Sequence, residues 1–265
     1  MPPLTSDDTE LSQVVDFFLR RNGFEDQAAL TLRRAIDEVV DGMRTGRWSI
    51  DSLEKTEKTY IGTKVEILFK FDFEIPDGHT LDTRIQGAEV DIKCTVLGNW
   101  MIPREAVGQL CLLVRIDEHR SRFSIGVIRA TETVLTRSRN RDGKRAINRA
   151  GKRSIHWLVE NGALPVNLLA TLPDDVRLRI FSHASGQERM DELFRLVQGR
   201  IIPRVAIETV ARQKDPMKRM RDARQRLRAE GILVLGHQDD DPATARRYGL
   251  PVPKKGEAIS VQMRR

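Results

Sequence analysis

Residues 82–93 read Asp82-Thr-Arg-Ile-Gln-Gly-Ala-Glu-Val-Asp-Ile-Lys93. Thr80 to Ile85 reads as a strand, Gln86-Gly87 as a turn, and Ala88 to Val96 as the strand that follows. Alternate side chains of a strand share a face, so Asp91 and Lys93 project together while Val90 and Ile92 point the other way. A further carboxylate, Asp82, stands just ahead of this acid-x-lysine triplet. Metal-assisted cleavage of a phosphodiester needs such a set: hard oxygen ligands for Mg2+, and a cation beside them for the attacking water or the pentavalent phosphate. Taken alone, the triplet ordinarily marks a solvated strand face, so its flanks have to decide.

Upstream, two amphipathic helices are expected, Glu10 to Arg21 and Asp26 to Met43. Next comes an alternating run, with Val65, Ile67, Phe69, Phe71, Phe73 and Ile75 apolar and Lys64, Glu66, Lys70, Asp72 and Glu74 polar. Period two over this length predicts a strand, closed by the turn Pro76-Asp77-Gly78-His79. Glu66 then lies on that strand's polar face, where hairpin return brings it beside Asp82 or Asp91. Downstream, Gln109 to Ile116 and Phe123 to Arg129 read as two more strands, joined by the charged loop 117–122. Helices followed by about five strands predict an α/β or α+β sheet with helices around it.

Residues 137–153 are strongly basic: Arg137, Arg139, Arg141, Lys144, Arg145, Arg149, Lys152 and Arg153 face Asp142 alone. Trp157 and Leu158 follow directly and tie the run to a folded element, which favours phosphate contact over a disordered arm. After Leu164-Pro165 the character changes, with Leu172-Pro-Asp-Asp175 a linker or short helix start. Helices are expected over Gly186 to Gln198 and Arg204 to Gln213, and a third from Asp215-Pro216 to Glu230, closed by Gly231. On the third, Met217, Met220, Ala223 and Leu227 form an apolar stripe, and Lys218, Arg219, Arg221 and Arg224 lie among the cations around it. Ile232 to Leu235, pairing with Ala258 to Met263, completes the outline of a winged helix-turn-helix whose basic helix reads a groove. The expected organisation is residues 1–165 for the sheet domain and 166–265 for the DNA-binding domain.

The whole chain has 265 residues with Lys+Arg 45 against Asp+Glu 38, a net charge of +7 and a pI near 9.7. That balance favours a polyanionic partner, nucleic acid before membrane. No long apolar run suggests a membrane span, and the acidic N-terminus does not read as a signal peptide. Cys94 and Cys111 sit in apolar runs without zinc spacing, as buried free thiols of a reducing cytoplasm. The five histidines are scattered, and no phosphate-cradling glycine motif is present, so neither a His-metal nuclease nor a nucleotide cofactor is expected. Tyr60 and Tyr248 stand in no motif suited to covalent strand transfer.

With these residues in view, the chain resembles the NaeI-type restriction endonucleases, within the PD-(D/E)xK nuclease superfamily. The likeness runs through Ala35-Ile-Asp-Glu-Val-Val-Asp-Gly42, Glu66, Asp82, Asp91-Ile-Lys93, Trp100-Met-Ile-Pro-Arg-Glu105, Leu110-Cys-Leu-Leu-Val-Arg115 and Leu193-Phe-Arg-Leu-Val-Gln-Gly-Arg200. It implies a restriction-endonuclease-like mixed sheet flanked by helices, followed by a domain similar to the DNA-binding part of catabolite activator protein. It also implies a homodimer that binds two copies of a palindromic site, one cut and one acting as effector. By the resemblance Asp82 and Asp91 are the metal-binding carboxylates, Lys93 is the catalytic lysine and Glu66 the supporting acid, bound to the metal directly or through water. The expected ion is Mg2+, with the Ile92 carbonyl as a further ligand. Pro76-Asp77 offers a literal Pro-Asp at a tolerable distance from Asp91, but the turn explains it, and the resemblance selects Asp82. Two rival readings stand beside this one: a winged-helix regulator without enzymatic activity, and a repair nickase using the same chemistry.

Overall fold

The computed structural model describes residues 8–96 and 98–263. In chain order it holds α1 (Thr9–Leu19), α2 (Phe24–Val40), α3 (Gly42–Thr45), α4 (Lys55–Asp72), β1 (Thr83–Ile85), β2 (Ala88–Val96), β3 (Met101–Ile102), β4 (Leu110–Asp117) and β5 (Arg122–Arg129). There follow β6 (Arg145–Ala146), α5 (Arg149–Arg153), β7 (His156–Ala163), α6 (Asp174–Ser182), α7 (Gly186–Leu196), α8 (Arg204–Ala211), α9 (Pro216–Arg228), β8 (Ile232–Leu235), α10 (Asp241–Arg247) and β9 (Ile259–Gln262). The chain divides into two compact units, Met1–Val39 with Leu53–Val166, and Val40–Ser52 with Asn167–Arg265. Sequence reading had not set 40–52 apart. No helix among the described residues is long and apolar enough to cross a membrane.

The first unit is a five-stranded mixed sheet, ordered β1-β2-β4-β5-β7 and flanked by helices. β1 and β2 form the expected hairpin, turning through Gln86 (φ 51) and Gly87 (φ 89). Both turn residues are left-handed, as the type I′ turn demands, because its twist matches that of the strands. β2 runs parallel to β4, while β4–β5 and β5–β7 are antiparallel. Val90 and Ile92 share a buried face with the even residues of β4, and α4 packs against β2. Asp91 and Lys93 share the other face with Cys111 and Leu113, which pack under Trp100, Ile102, Leu135 and Ile147.

Residues 64–75 correct the sequence reading, because α4 is a helix where a strand was expected. Alternation over residues 65–75 fits a strand, yet Val65, Phe69 and Phe73 also fall four apart, and Ile61 continues that row upstream. All four are fully buried in one helical stripe, while Ile67 is 45 % and Phe71 76 % exposed. Burying an aliphatic or phenyl side chain contributes about 1.5–3 kcal/mol, so a complete inner row outweighs the local β preference of the run. A capping box between Glu54 and Glu57 starts the helix. Glu66 therefore stands on a helix and not on the polar face of a strand.

The fifth strand of the sheet is instead β7, which sequence reading did not identify. Its pairing with β5 is irregular between Phe123 and Gly126, and its apolar run gives way to Glu160-Asn161-Gly162. A bulge breaks the two-residue period on which strand recognition rests.

The second unit is built around α7, α8 and α9, with Met190, Leu193, Phe194, Ile207, Val210 and Leu227 in its core. Helices 7 to 9 and the antiparallel β8–β9 ribbon stand close to their expected positions. Asp215 caps α9 by accepting the Lys218 N–H, and Gly231 follows at φ 77. The stretch read as linker or short helix start opens the full helix α6, and α10 was not foreseen. Trp48, from the 40–52 segment, stacks on Phe181 at 4.9 Å. Gly42 lets α3 reach α8, since a Cβ there would lie 2.2 Å from the Thr209 hydroxyl.

Candidate active site

β2 delivers Asp91 and Lys93 to one point. Lys93 Nζ donates to Asp91 Oδ1 at 2.7 Å, to Asp82 Oδ2 at 3.3 Å and to the Ile92 carbonyl at 3.3 Å. Asp82, immediately before β1, also accepts the Ile92 N–H on Oδ2 at 2.8 Å. Both acids and the carbonyl thus converge on a single ammonium group. Asp77, the rival acid, is 86 % exposed and pairs with Lys70 Nζ at 3.1 Å, whereas Lys93 pairs with Asp82 and Asp91.

The electrostatics follow from burial. Asp91 is 3 % exposed. Burial raises its carboxyl to about 6 against the pull of the Lys93 ammonium, with the neighbouring Asp82 carboxylate adding to the rise. Burial also works against the charge on Lys93, but Asp91 and Asp82 outweigh it and hold the ammonium above its ordinary pKa. Lys93 is therefore a firm cation. One acceptor is left over: Asp91 Oδ2 is buried and has no hydrogen-bond partner.

A divalent metal fits this donor set. An orphaned, buried carboxylate oxygen is costly unless something electropositive meets it. Two carboxylates and a main-chain carbonyl form the hard-oxygen group that Mg2+ accepts, usually completed by water and substrate phosphate. Among the described residues no group of three His, Cys, Asp or Glu side chains is arranged to hold a metal by itself.

Glu66 approaches at one remove. Its Oε1 accepts from Lys70 Nζ at 3.0 Å, and the same ammonium reaches the Asp82 carbonyl at 3.4 Å. Although burial disfavours its charge, Glu66 and Asp77 hold Lys70 above its ordinary pKa. Sequence reading singled out neither Lys70 nor Glu89. The Glu89 carboxylate accepts the main-chain N–H groups of His79, Thr80 and Leu81, and these contacts lower its pKa to about 2. The signal for Glu89 was its spacing: with Asp91 and Lys93 it is the third residue on one strand face.

Arg137, Arg139, Arg141, Arg149, Lys152 and Arg153 are exposed and Lys144 is half-buried, with α5 carrying the last three of the exposed set. Arg145 is set apart: it is buried on β6, pairs with Glu132 and donates to the Thr136 carbonyl. On α9, Lys218 and Arg221 are exposed, Arg224 is tied to Asp241 at 2.5 Å, and Arg219 to Gln213 and Asp222. Cys94 and Cys111 are free thiols, Cys111 buried as expected and Cys94 half-buried, and burial raises the pKa of both. Trp100 is packed, with its indole N–H donating to the Val114 carbonyl at 2.8 Å.

A mixed sheet with two acids and a lysine gathered beside its edge hairpin is the arrangement of a restriction-endonuclease-like nuclease. The profile of the restriction endonuclease NaeI family matches residues 12–265. A curated relative, the type II restriction enzyme NaeI of Lentzea aerocolonigenes, is 42 % identical over 268 aligned positions, covering 97 % of this chain and 84 % of that one. The chain belongs to the NaeI restriction endonuclease family, and so to the site-specific deoxyribonucleases. Membership removes the non-enzymatic regulator as a reading of the whole chain.

Proposed function

We propose that the protein is a type II restriction endonuclease that hydrolyses both strands of duplex DNA at a palindromic site with Mg2+. The observation that carries this reading is the convergence of Asp82, Asp91 and the Ile92 carbonyl on one ammonium, with an acceptor of Asp91 left over. When bound there, Mg2+ supplies charge against the scissile phosphate and lowers the pKa of a bound water. Asp82, Asp91 and the Ile92 carbonyl would hold it. Lys93, kept charged by its two acids, orients the attacking water or stabilises charge developing on phosphate oxygen. Glu66 supports the site through Lys70.

The exposed cations of residues 137–153 bind backbone phosphates, which provide affinity and register. Arg145 is left out of that surface because its guanidinium is already engaged. In the second unit, α8 and α9 with the four intervening residues act as a helix-turn-helix, and the β8–β9 ribbon as its wing. Lys218 and Arg221 on α9 face the groove, while Arg219 and Arg224 brace the helix. Cutting both strands of a palindrome calls for two copies related by a two-fold axis, so the working species is a homodimer.

Digestion of a sequenced plasmid in Mg2+, with the cut ends mapped, tests the reading. Discrete fragments ending at one two-fold symmetric sequence are expected. Retardation without cutting, or nicks confined to one strand, would overturn it, and sedimentation of monomer alone on cognate DNA would remove the dimer.

A further inference from the structure

We infer that Glu89 is a positioning residue of the acidic cage, holding Asp82 in place by clasping the three residues that precede it. The inference rests on the reading of Asp82 and Asp91 as the metal-binding pair. Glu89 Oε1 accepts the His79 N–H at 2.9 Å. Oε2 accepts the N–H groups of Thr80 and Leu81, each at 3.0 Å, and the Thr80 hydroxyl at 3.2 Å. Three consecutive main-chain N–H groups thus close around one carboxylate, the concave donor arrangement that binds anions.

The geometry gives β2 a double task. Glu89, Asp91 and Lys93 occupy alternate positions and share a face. Asp91 is placed by the backbone of β2 itself, whereas Asp82 lies outside any strand, at the end of the irregular segment after α4. Through Glu89 the same strand reaches across and fixes that segment, so the separation of the two acids is set from a single element. Both Glu89 oxygens are occupied by loop donors, which makes it a poor metal ligand and separates its role from that of Asp82 and Asp91. Gly78 belongs to the device as well. A Cβ there would lie 2.7 Å from Glu89 Oε2 and 2.4 Å from the Leu81 carbonyl, so only glycine lets the loop close.

The test compares wild type with Glu89→Gln, Gly78→Ala and the double variant, with Asp82→Asn as reference. Gln keeps one acceptor oxygen and turns an amide donor toward loop N–H groups. Amide exchange, followed residue by residue in metal-free protein, should show residues 79–81 losing protection in Glu89→Gln. Calorimetric titration of the protein–DNA complex with Mg2+ should show affinity falling at least about tenfold, the scale at which partners that orient metal ligands act. The Mg2+ needed for half-maximal cleavage should rise in step, while DNA affinity without metal is unchanged. Gly78→Ala should reproduce the effect, and the double variant should be no worse than either single one. Unchanged protection at 79–81, or lost protection with unchanged Mg2+ affinity, would overturn the assignment. If Asp82→Asn itself cuts like wild type, the fault lies in the reading of the cage, and the clasp falls with it.

Discussion

Helix α4 and strand β2 pack against one another and divide their duties differently. β2 presents an apolar face to the helix and on its other face carries Glu89, Asp91 and Lys93. α4 buries Ile61, Val65 and Phe69 in one row, continued by Phe73 just beyond its end, and a link from Glu66 through Lys70 joins it to the site. The proposed site predicts that substitution on the strand costs chemistry and substitution on the helix costs folding. Two faces of a strand serve two purposes within nine residues. A helix needs four turns to build one sealed row.

The largest effect expected is on the polar face of β2. Asp91→Asn should lower cleavage about a thousandfold or more, the equivalent of about 4 kcal/mol of transition-state stabilisation. Gel retardation of the same variant should show DNA binding retained, because the cations proposed to contact phosphate, those of residues 137–153, lie outside β2. Cleavage at the wild-type rate in Mg2+ would break the division of duties at its strongest point.

Next come two phenylalanines of α4, two residues apart. On a strand Phe69 and Phe71 would share a face and respond alike. On the helix Phe69 is fully buried and Phe71 76 % exposed. Phe69→Ala should destabilise by about 3–5 kcal/mol, and Phe71→Ala should stay within about 0.5 kcal/mol. Denaturant unfolding of the pair measures the contrast directly. Equal losses would return the segment to the strand reading.

That contrast also shows what the sequence could convey. The hairpin was legible because its signals agreed: alternation on both sides of a two-residue turn, and the Gln86-Gly87 pair suited to left-handed conformations. The 64–75 run carried two periods at once, and the evidence for the helical one, Ile61 and the Glu54–Glu57 cap, lay outside the window. Asp82, Asp91 and Lys93 were legible through spacing and resemblance, and the structure brings their side chains together. Lys70 was not, and Glu89 showed only its place on the face of β2, because the contacts of both are made across a loop whose path no period encodes. Arg145 shows the converse: a charge run carries no mark of which member turns inward.

A smaller effect belongs to the hairpin turn. Gly87 sits at φ 89 with open space where a Cβ would go, so Gly87→Ala meets backbone strain and no clash. A loss of about 1–2 kcal/mol is expected from the left-handed conformation alone, measured by denaturant unfolding. A loss as large as that of Phe69→Ala would mean that the turn does more than join two strands.

The smallest effect sets a polar attachment of helix to sheet against the apolar seal of α4. α1 is tied to β5 by Asp8, whose carboxylate accepts from Arg129 Nε at 2.6 Å and Nη2 at 2.7 Å while also capping the helix through the Leu11 N–H. The Arg129 guanidinium, more than any other neighbour, holds the Asp8 carboxyl below its ordinary 3.8. A depressed folded-state pKa stabilises the native protein fully above the unfolded value, and the contribution fades as pH falls through the folded one. Asp8→Asn keeps the cap and removes the charge. It should therefore melt below wild type at pH 6 by the equivalent of about 1 kcal/mol. The two melting curves should then converge on acidification below pH 4. The loss from Phe69→Ala has no titrating group behind it and should persist across the same range. A gap between Asp8→Asn and wild type that stayed constant into acid would show that the contact acts by shape and not by charge, as the seal of α4 does.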